Sequence, residues 1–235
     1  LIYFVVDTFL AMSNREFDEM KELYSDYKIP FWMNTRAETI NEYRAAGLEE
    51  MNMLRMNIGI EHGNYDYRRK YLKRNVKDEV QIRAFEIAAE HKYASCANSI
   101  IGMPDETREL IFDTINFVRK LPDSIDATGA FIFAPYHGTP LRTLAIEKGY
   151  IKEDEICSLS NTSASMLNMP TISKEEISGL AKVFSLYIKF PKERWPEIKI
   201  AEKSDKEGNL MMSKLGEEFD KTYRQFKATA LDLHD

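Results

Sequence analysis

An α/β fold with a parallel sheet is what this 235-residue sequence predicts, and three observations predict it. Five short apolar runs each lead into a segment with helical spacing, so neighbouring strands are joined by crossovers long enough for a helix, as parallel pairing requires. Polar, glycine-rich and proline-rich punctuation gathers after the strands, where helices begin. After Tyr150 the alternation stops and a helical texture takes over. The chain therefore divides into an α/β part over residues 1–150 and a linker with a mainly helical C-terminal extension over residues 151–235.

Residues 1–6 are apolar throughout, and the strand over residues 2–6 reads as buried on both faces. It ends at Asp7 and Thr8, and Phe17, Met20, Leu23 and Tyr24 follow at helical spacing. Residues 29–33 form the second strand, leading to Asn34, Thr35 and Arg36 and then to a helix over residues 38–47 that Gly47 stops. The third strand, residues 51–60, delivers Glu61 to a rim between Gly59 and Gly63, under helices over residues 64–72 and 78–91. Residues 97–101 are the fourth strand, ending at Gly102-Met103-Pro104-Asp105-Glu106-Thr107. Its helix, residues 108–121, has Asp105 and Glu106 beside its positive end. The fifth strand, residues 130–134, ends at Pro135-Tyr136-His137-Gly138-Thr139-Pro140 and precedes a helix over residues 141–148, with Gly149 at its end.

The stretch 152–170 is polar and aperiodic. Ser173 and Glu176 then have capping-box spacing, ahead of a helix with Ile177, Leu180, Val183, Phe184, Tyr187 and Ile188 on one stripe that stops before Pro191. Trp195–Ala201 and residues 208–231 read as further helix, the latter amphipathic through Leu215, Phe219, Tyr223 and Phe226.

Apolar residues make up 44% of the chain, charged residues 30%, and the net charge is −6, a balance that offers nucleic acid no broad basic footprint. No apolar run reaches bilayer-spanning length and no signal-peptide pattern opens the chain, so a cytoplasmic protein without membrane or nucleic-acid partners is expected. The two cysteines, Cys96 and Cys157, exclude a disulfide framework and a cysteine-rich metal site by count; reduced, buried thiols are expected. The chain opens with Leu1 inside a strand, which suggests a piece of a longer protein. Neither a His-x-His metal signature nor a nucleophile elbow occurs.

Asp7, Asn34, Arg36, Glu61, the Gly102-Pro104 turn and the Pro135-Thr139 turn all follow strands. In parallel sheets and barrels that edge binds ligands, and five such junctions point to one shared site. Each residue also has a plain structural role open to it. Asp7 can cap a helix, Arg74 can be a solvated charge in the run from Arg68, and Arg36 can pair with Glu38 or Glu61. His62 and His137 can serve as rim hydrogen-bonders or as proton donors to a substrate.

The ordered motifs Phe4-Val5-Val6-Asp7-Thr8-Phe9, Asn34-Thr35-Arg36-Ala37-Glu38-Thr39, Gly59-Ile60-Glu61-His62-Gly63, Leu72-Lys73-Arg74, Ile100-Ile101-Gly102-Met103-Pro104-Asp105-Glu106-Thr107 and Tyr136-His137-Gly138-Thr139-Pro140-Leu141 resemble those of radical S-adenosylmethionine enzymes. The class with an N-terminal cobalamin-binding domain, which includes the anaerobic magnesium-protoporphyrin ester cyclase type, is the most similar. The resemblance covers Leu1 to about Tyr150. It implies a partial (βα)6 TIM-like barrel entered at its second strand, which binds S-adenosylmethionine and in the full-length parent uses a 4Fe-4S cluster to generate a 5'-deoxyadenosyl radical, or supports cobalamin-dependent methyl transfer or ring formation. A reductant such as a flavodoxin or ferredoxin is implied for the parent.

By the same resemblance Asp7 and Thr8 lie near the methionine amine; Asn34 and Arg36 are further candidates for binding the cofactor. Glu61 accepts from the ribose hydroxyls, Arg74 pairs with the methionine carboxylate, and the backbone from Gly102 to Pro104 passes along the adenine. The cluster needs three thiolates in Cys-x3-Cys-x2-Cys spacing, which Cys96 and Cys157 do not provide. An Asp-x-His-x-x-Gly cobalamin signature is also absent. The expectation is a chain that is inactive alone, its cluster and cobalamin ligands lying elsewhere in the parent. Two other readings stay open: a cluster-free barrel hydrolase or lyase using Glu61 and Asp7 as an acid/base pair, and a non-catalytic barrel remnant acting as an interaction module.

Overall fold

The computed structural model describes residues 1–126, 129–157 and 164–223. Five parallel strands form one sheet in the order of the chain: β1 (Ile2–Phe4), β2 (Phe31–Arg36), β3 (Met53–Glu61), β4 (Ala94–Ile101) and β5 (Phe131–Ile132). Parallel crossovers are right-handed, so a sheet wound without reversing its order puts its helices on one side and curls the other into a hollow. The result is a half-barrel.

The helices are α1 (Asn14–Ser25), α2 (Glu42–Glu50), α3 (Tyr65–Tyr71), α4 (Asp78–Ala89), α5 (Arg108–Val118) and α6 (Pro140–Glu147). Phe31, Met33, Met56, Ile58, Ile60 and Ile101 of the strands bury against Phe17, Leu48, Phe85, Ile111 and Ile115 of these helices. Gly63, just past β3, touches α5 so closely that a Cβ there would lie 2.6 Å from Asp113 O and 2.8 Å from Phe117 Cβ.

The extension consists of α7 (Lys174–Lys189), α8 (Trp195–Ala201) and α9 (Lys206–Thr222). Ser173 and Glu176 make the expected capping box. Phe112 of α5 meets Tyr187 of α7 and Trp195 of α8, with ring centroids 5.1 and 5.3 Å apart. Within this seam Glu202 accepts from Arg108 at 2.6 and 3.0 Å, from Tyr187 at 2.5 Å and from Lys199 at 2.9 Å. Burial opposes the charge on Glu202, but these donors outweigh it and hold the carboxyl below its ordinary range.

Four sequence expectations change. Gly47 does not stop a helix: Asn41 caps α2, and Gly47 lies within it, where a Cβ would stand 2.7 Å from the Phe17 ring. Asn34 and Arg36 belong to β2 itself rather than to the turn after it. The first strand is only three residues long and is not covered on both faces; Tyr3, Val5 and Val6 are exposed. Asp7 caps no helix, because Ser13 caps α1 with Glu16 as its reciprocal partner. Phe226 lies outside the described residues. Among the described residues no helix is long and apolar enough to cross a membrane.

Two outcomes follow. Glu202→Ala leaves Arg108 and the Tyr187 hydroxyl without their acceptor in a mostly buried seam and should cost about 3 kcal/mol in denaturant unfolding. Because the folded carboxyl titrates below its unfolded value, this stabilisation is present above the unfolded pKa and is lost as pH falls through the folded one, so the wild-type/variant gap should narrow in acid. Secondly, among the described residues β1 pairs only with β2, and Val5 directly after it is 78% exposed, an edge that invites further strands. Light scattering should find the isolated chain self-associated and Val5→Lys shifted toward monomer; a monodisperse wild-type monomer with a cooperative melt contradicts this.

Candidate functional site

On the hollow side of the sheet the side chains are polar. Strand geometry turns alternate residues to opposite faces, so while Met56, Ile58 and Ile60 pack under helices, Asn57, Gly59 and Glu61 face the hollow. Asn34 and Arg36 of β2 and Asn98 of β4 join them, and together these residues line a cleft of about 880 Å³ with Asp7, Thr8 and Arg74. That volume is within the roughly 300–1,000 Å³ usual for small-molecule sites.

Glu61 is aimed by backbone geometry. The register between β3 and β4 shifts between Gly59 and Glu61, and Glu61 takes a left-handed conformation with φ 63°. Such an irregularity re-aims a side chain at the end of a strand. Its carboxylate folds back over Gly59, where any Cβ would collide with Glu61 Oε1. Burial pushes the Glu61 carboxyl up, against the pull of Arg74 and Arg36.

Arg74 is not a solvated charge. After α3, Lys73 adopts φ 52° and Arg74 N–H donates to Arg68 O at 3.2 Å, which turns the Arg74 side chain inward to 5% exposure. Its guanidinium reaches Glu61 Oε1 at 3.3 Å and Glu38 Oε2 at 3.4 Å, and its buried Nε has no hydrogen-bond partner among the described residues. Both contacts are long for charge-assisted bonds, so this fork is incompletely engaged. Arg36, half exposed, approaches Glu38 at 3.5 Å. The loop bearing Asp7 and Thr8 is held over β2 by Phe9 N–H donating to Asn34 O at 2.8 Å.

Gly102 and Pro104 do not line this cleft. Their turn is buried behind it: the amides of Gly102 and Met103 both donate to Glu106 Oε2, and Pro104 O accepts from Tyr67 at 2.7 Å. Gly102, at φ 79°, packs on Ile177 of α7. His62 also lies off the cleft, fully buried, with Nδ1 accepting from Asn64 N–H and Nε2 3.0 Å from Glu106 Oε1. His137 is exposed.

Across Leu72, Ile100 and Phe131 the cleft adjoins an apolar pocket of about 450 Å³, walled by Tyr71, Phe133, Ala134 and Tyr136 among others. Tyr71 and Tyr150 both donate to Asp105, at 2.7 and 2.6 Å, and Lys148 reaches it at 2.9 Å, which ties three segments of the rim together. Sequence reasoning missed Asn57, Asn98 and Cys96 on the hollow face. The signal was present as the alternation Asn57-x-Gly59-x-Glu61 and Cys96-x-Asn98, masked by the apolar residues between. Among the described residues no group of three or more His, Cys, Asp or Glu side chains is placed to hold a metal ion.

The family model for the Radical SAM superfamily matches residues 1–118. An uncharacterised methyltransferase of Pyrococcus horikoshii is 30% identical over 146 residues, which is 62% of this chain and 31% of that protein. The chain thus spans about a third of its curated relative's length. The structure of the cobalamin-dependent S-adenosylmethionine radical enzyme OxsB superposes with a TM-score of 0.56 at 12% identity, over 94% of this chain and 38% of OxsB. The radical methyltransferase TsrM from Kitasatospora setae aligns at 19% identity and a TM-score of 0.45 over 57% of this chain and 27% of its own. With the family match covering half of its length, and a parallel half-barrel of the same fold as OxsB beneath it, this chain belongs to the Radical SAM superfamily.

Proposed function

We propose that this chain forms the S-adenosylmethionine-binding part of a radical enzyme whose full-length form carries out cobalamin-dependent methyl transfer. The observation that carries the reading is the convergence of Asp7, Thr8, Asn34, Arg36, Glu61 and Arg74 on one cleft. The donor set suits a zwitterionic nucleoside: carboxylates accept from ribose hydroxyls and from an ammonium, and a guanidinium forks onto a carboxylate. The methyl-transfer part is supported by the P. horikoshii relative's name and by cobalamin in OxsB.

On this reading Glu61 receives the ribose hydroxyls from its bent position over Gly59. Arg74, held beside Glu38 and Glu61 by two long contacts, turns its unused donor capacity onto the methionine carboxylate. Asp7, Thr8 and Asn34 take the amine, and Arg36 supplements the positive charge. When bound, S-adenosylmethionine supplies a sulfonium with a transferable methyl group.

The residues present do not fit a 4Fe-4S cluster. Such a cluster requires three thiolates, and the chain has Cys96, buried against Asn57, and Cys157 on a distant segment. On this proposal the cluster and cobalamin are held by other parts of the parent, which also receives the reductant, and the chain alone is inactive.

Calorimetry with S-adenosylhomocysteine checks the rim. Arg74→Ala should weaken binding by about tenfold or more, as should Glu61→Gln. Lowering the pH from 8 to 5 should weaken wild-type binding as Glu61 protonates, beginning above the ordinary carboxylate range because burial raises this group, and Glu61→Gln should flatten that profile. Gly59→Ala should displace the Glu61 carboxylate and lower affinity while leaving the melting temperature nearly unchanged, since the clash is with a side-chain tip. Equal affinity in wild type and all three variants removes the rim from the site.

A further inference from the structure

Below the charged rim the hollow face becomes neutral and amide-rich. Asn34 is in register with Asn57, Asn57 with Cys96, and Gly59 with Asn98, so three side-chain amides come from three adjacent strands below the Glu61 carboxylate, which lies over Gly59. All three line the same cleft.

The Asn57 amide is oriented by its neighbours. Arg55 Nε, which can only donate, lies 3.3 Å from Asn57 Oδ1, and the Cys96 thiol donates to the same oxygen at 2.7 Å. Asn57 Nδ2 donates one hydrogen to Asn34 Oδ1 at 2.9 Å, which leaves its second for the cleft. Among the described residues the only side-chain partner of Asn98 is Cys96 Sγ at 3.8 Å, and the single thiol hydrogen is already directed at Asn57. Asn98 therefore keeps both a carbonyl and an NH2 for a ligand.

The charges at this depth are paired: Arg55 Nη1 meets Asp126 at 2.9 Å. Burial pushes the Cys96 thiol up, so it contributes no negative charge. An anion placed here would face amide carbonyls and an already paired guanidinium. A neutral group with a donor and an acceptor side by side would instead find both halves matched.

We propose that Asn98, assisted by the second N–H of Asn57, is a specificity-determining residue that reads a neutral cis-amide edge of the substrate, as in a lactam or a ring with adjacent C=O and N–H. The substrate N–H donates to Asn98 Oδ1, and its carbonyl accepts from Asn98 Nδ2 and Asn57 Nδ2. The substrate role of this floor rests on the S-adenosylmethionine reading of the rim.

The test titrates the 235-residue chain with δ-valerolactam, with valerate as the anionic counterpart and with S-adenosylhomocysteine, followed by ligand-observed NMR. Lactam binding in preference to valerate, weakened about tenfold in Asn98→Asp and Asn98→Ala and by more than S-adenosylhomocysteine binding is, with the melting temperature unchanged, is the expected result. Valerate binding as tightly as the lactam, or lactam binding indifferent to both substitutions, overturns the proposal and leaves the rim reading intact. Lactam binding that depends on Asn98 in a chain that does not bind S-adenosylhomocysteine supports the amide-reading floor and overturns the rim reading instead.

Discussion

Strand order decides which side of this sheet is dry. Because the five strands are wound in sequence without a reversal, the crossover helices gather on one side, and the other is left to curl around a space that they do not fill. The apolar residues of β3 at Met56, Ile58 and Ile60 thus have a fixed destination, and the residues between them have another. A doubly wound sheet of the same five strands would cover both faces and could not tolerate Asn57 or Glu61 where they stand. The cleft is a product of topology before it is a product of any particular side chain.

Two backbone irregularities serve this space. Glu61 and Lys73 are both non-glycine residues in the left-handed region, at a cost of order 1 kcal/mol or more each. One aims a carboxylate over Gly59 and the other brings Arg74 in from the surface. The rim that results alternates in sign, from Arg36 to Glu38 to Arg74 to Glu61. A buried guanidinium held by two long contacts is compensated in charge while its hydrogen-bonding capacity is only partly used.

Much of the architecture was legible because it rests on local rules. Five apolar runs followed by helical spacing, the Ser173-Glu176 capping box and the proline after α7 each fix an element without reference to distant residues. The misreadings arose where tertiary contacts decide. Gly47 looks like a stop signal in a helical stretch, yet it is a small residue that admits the Phe17 ring. The run from Arg68 to Arg74 looks like a cationic face, yet Arg68 and Arg74 are its two buried members, the first turned inward by the His62 carbonyl and Asp78, the second by Glu61 and Glu38. Six of the eight candidate residues meet at the cleft because strand ends in a parallel sheet converge by geometry. Gly102 and Pro104 do not, since their turn is closed from behind by Glu106 and α7.

The seam around Glu202 bears on the order in which the molecule can assemble. Arg108 and Glu202 are 94 residues apart, so during synthesis α5 leaves the ribosome with its guanidinium unmatched long before its acceptor is made. The half-barrel can condense in the meantime, and the seam closes only once Glu202 has been made. The extension thus acts as a clasp on a body already formed, and loss of the clasp would loosen α5, whose neighbour Gly63 stands two residues from Glu61.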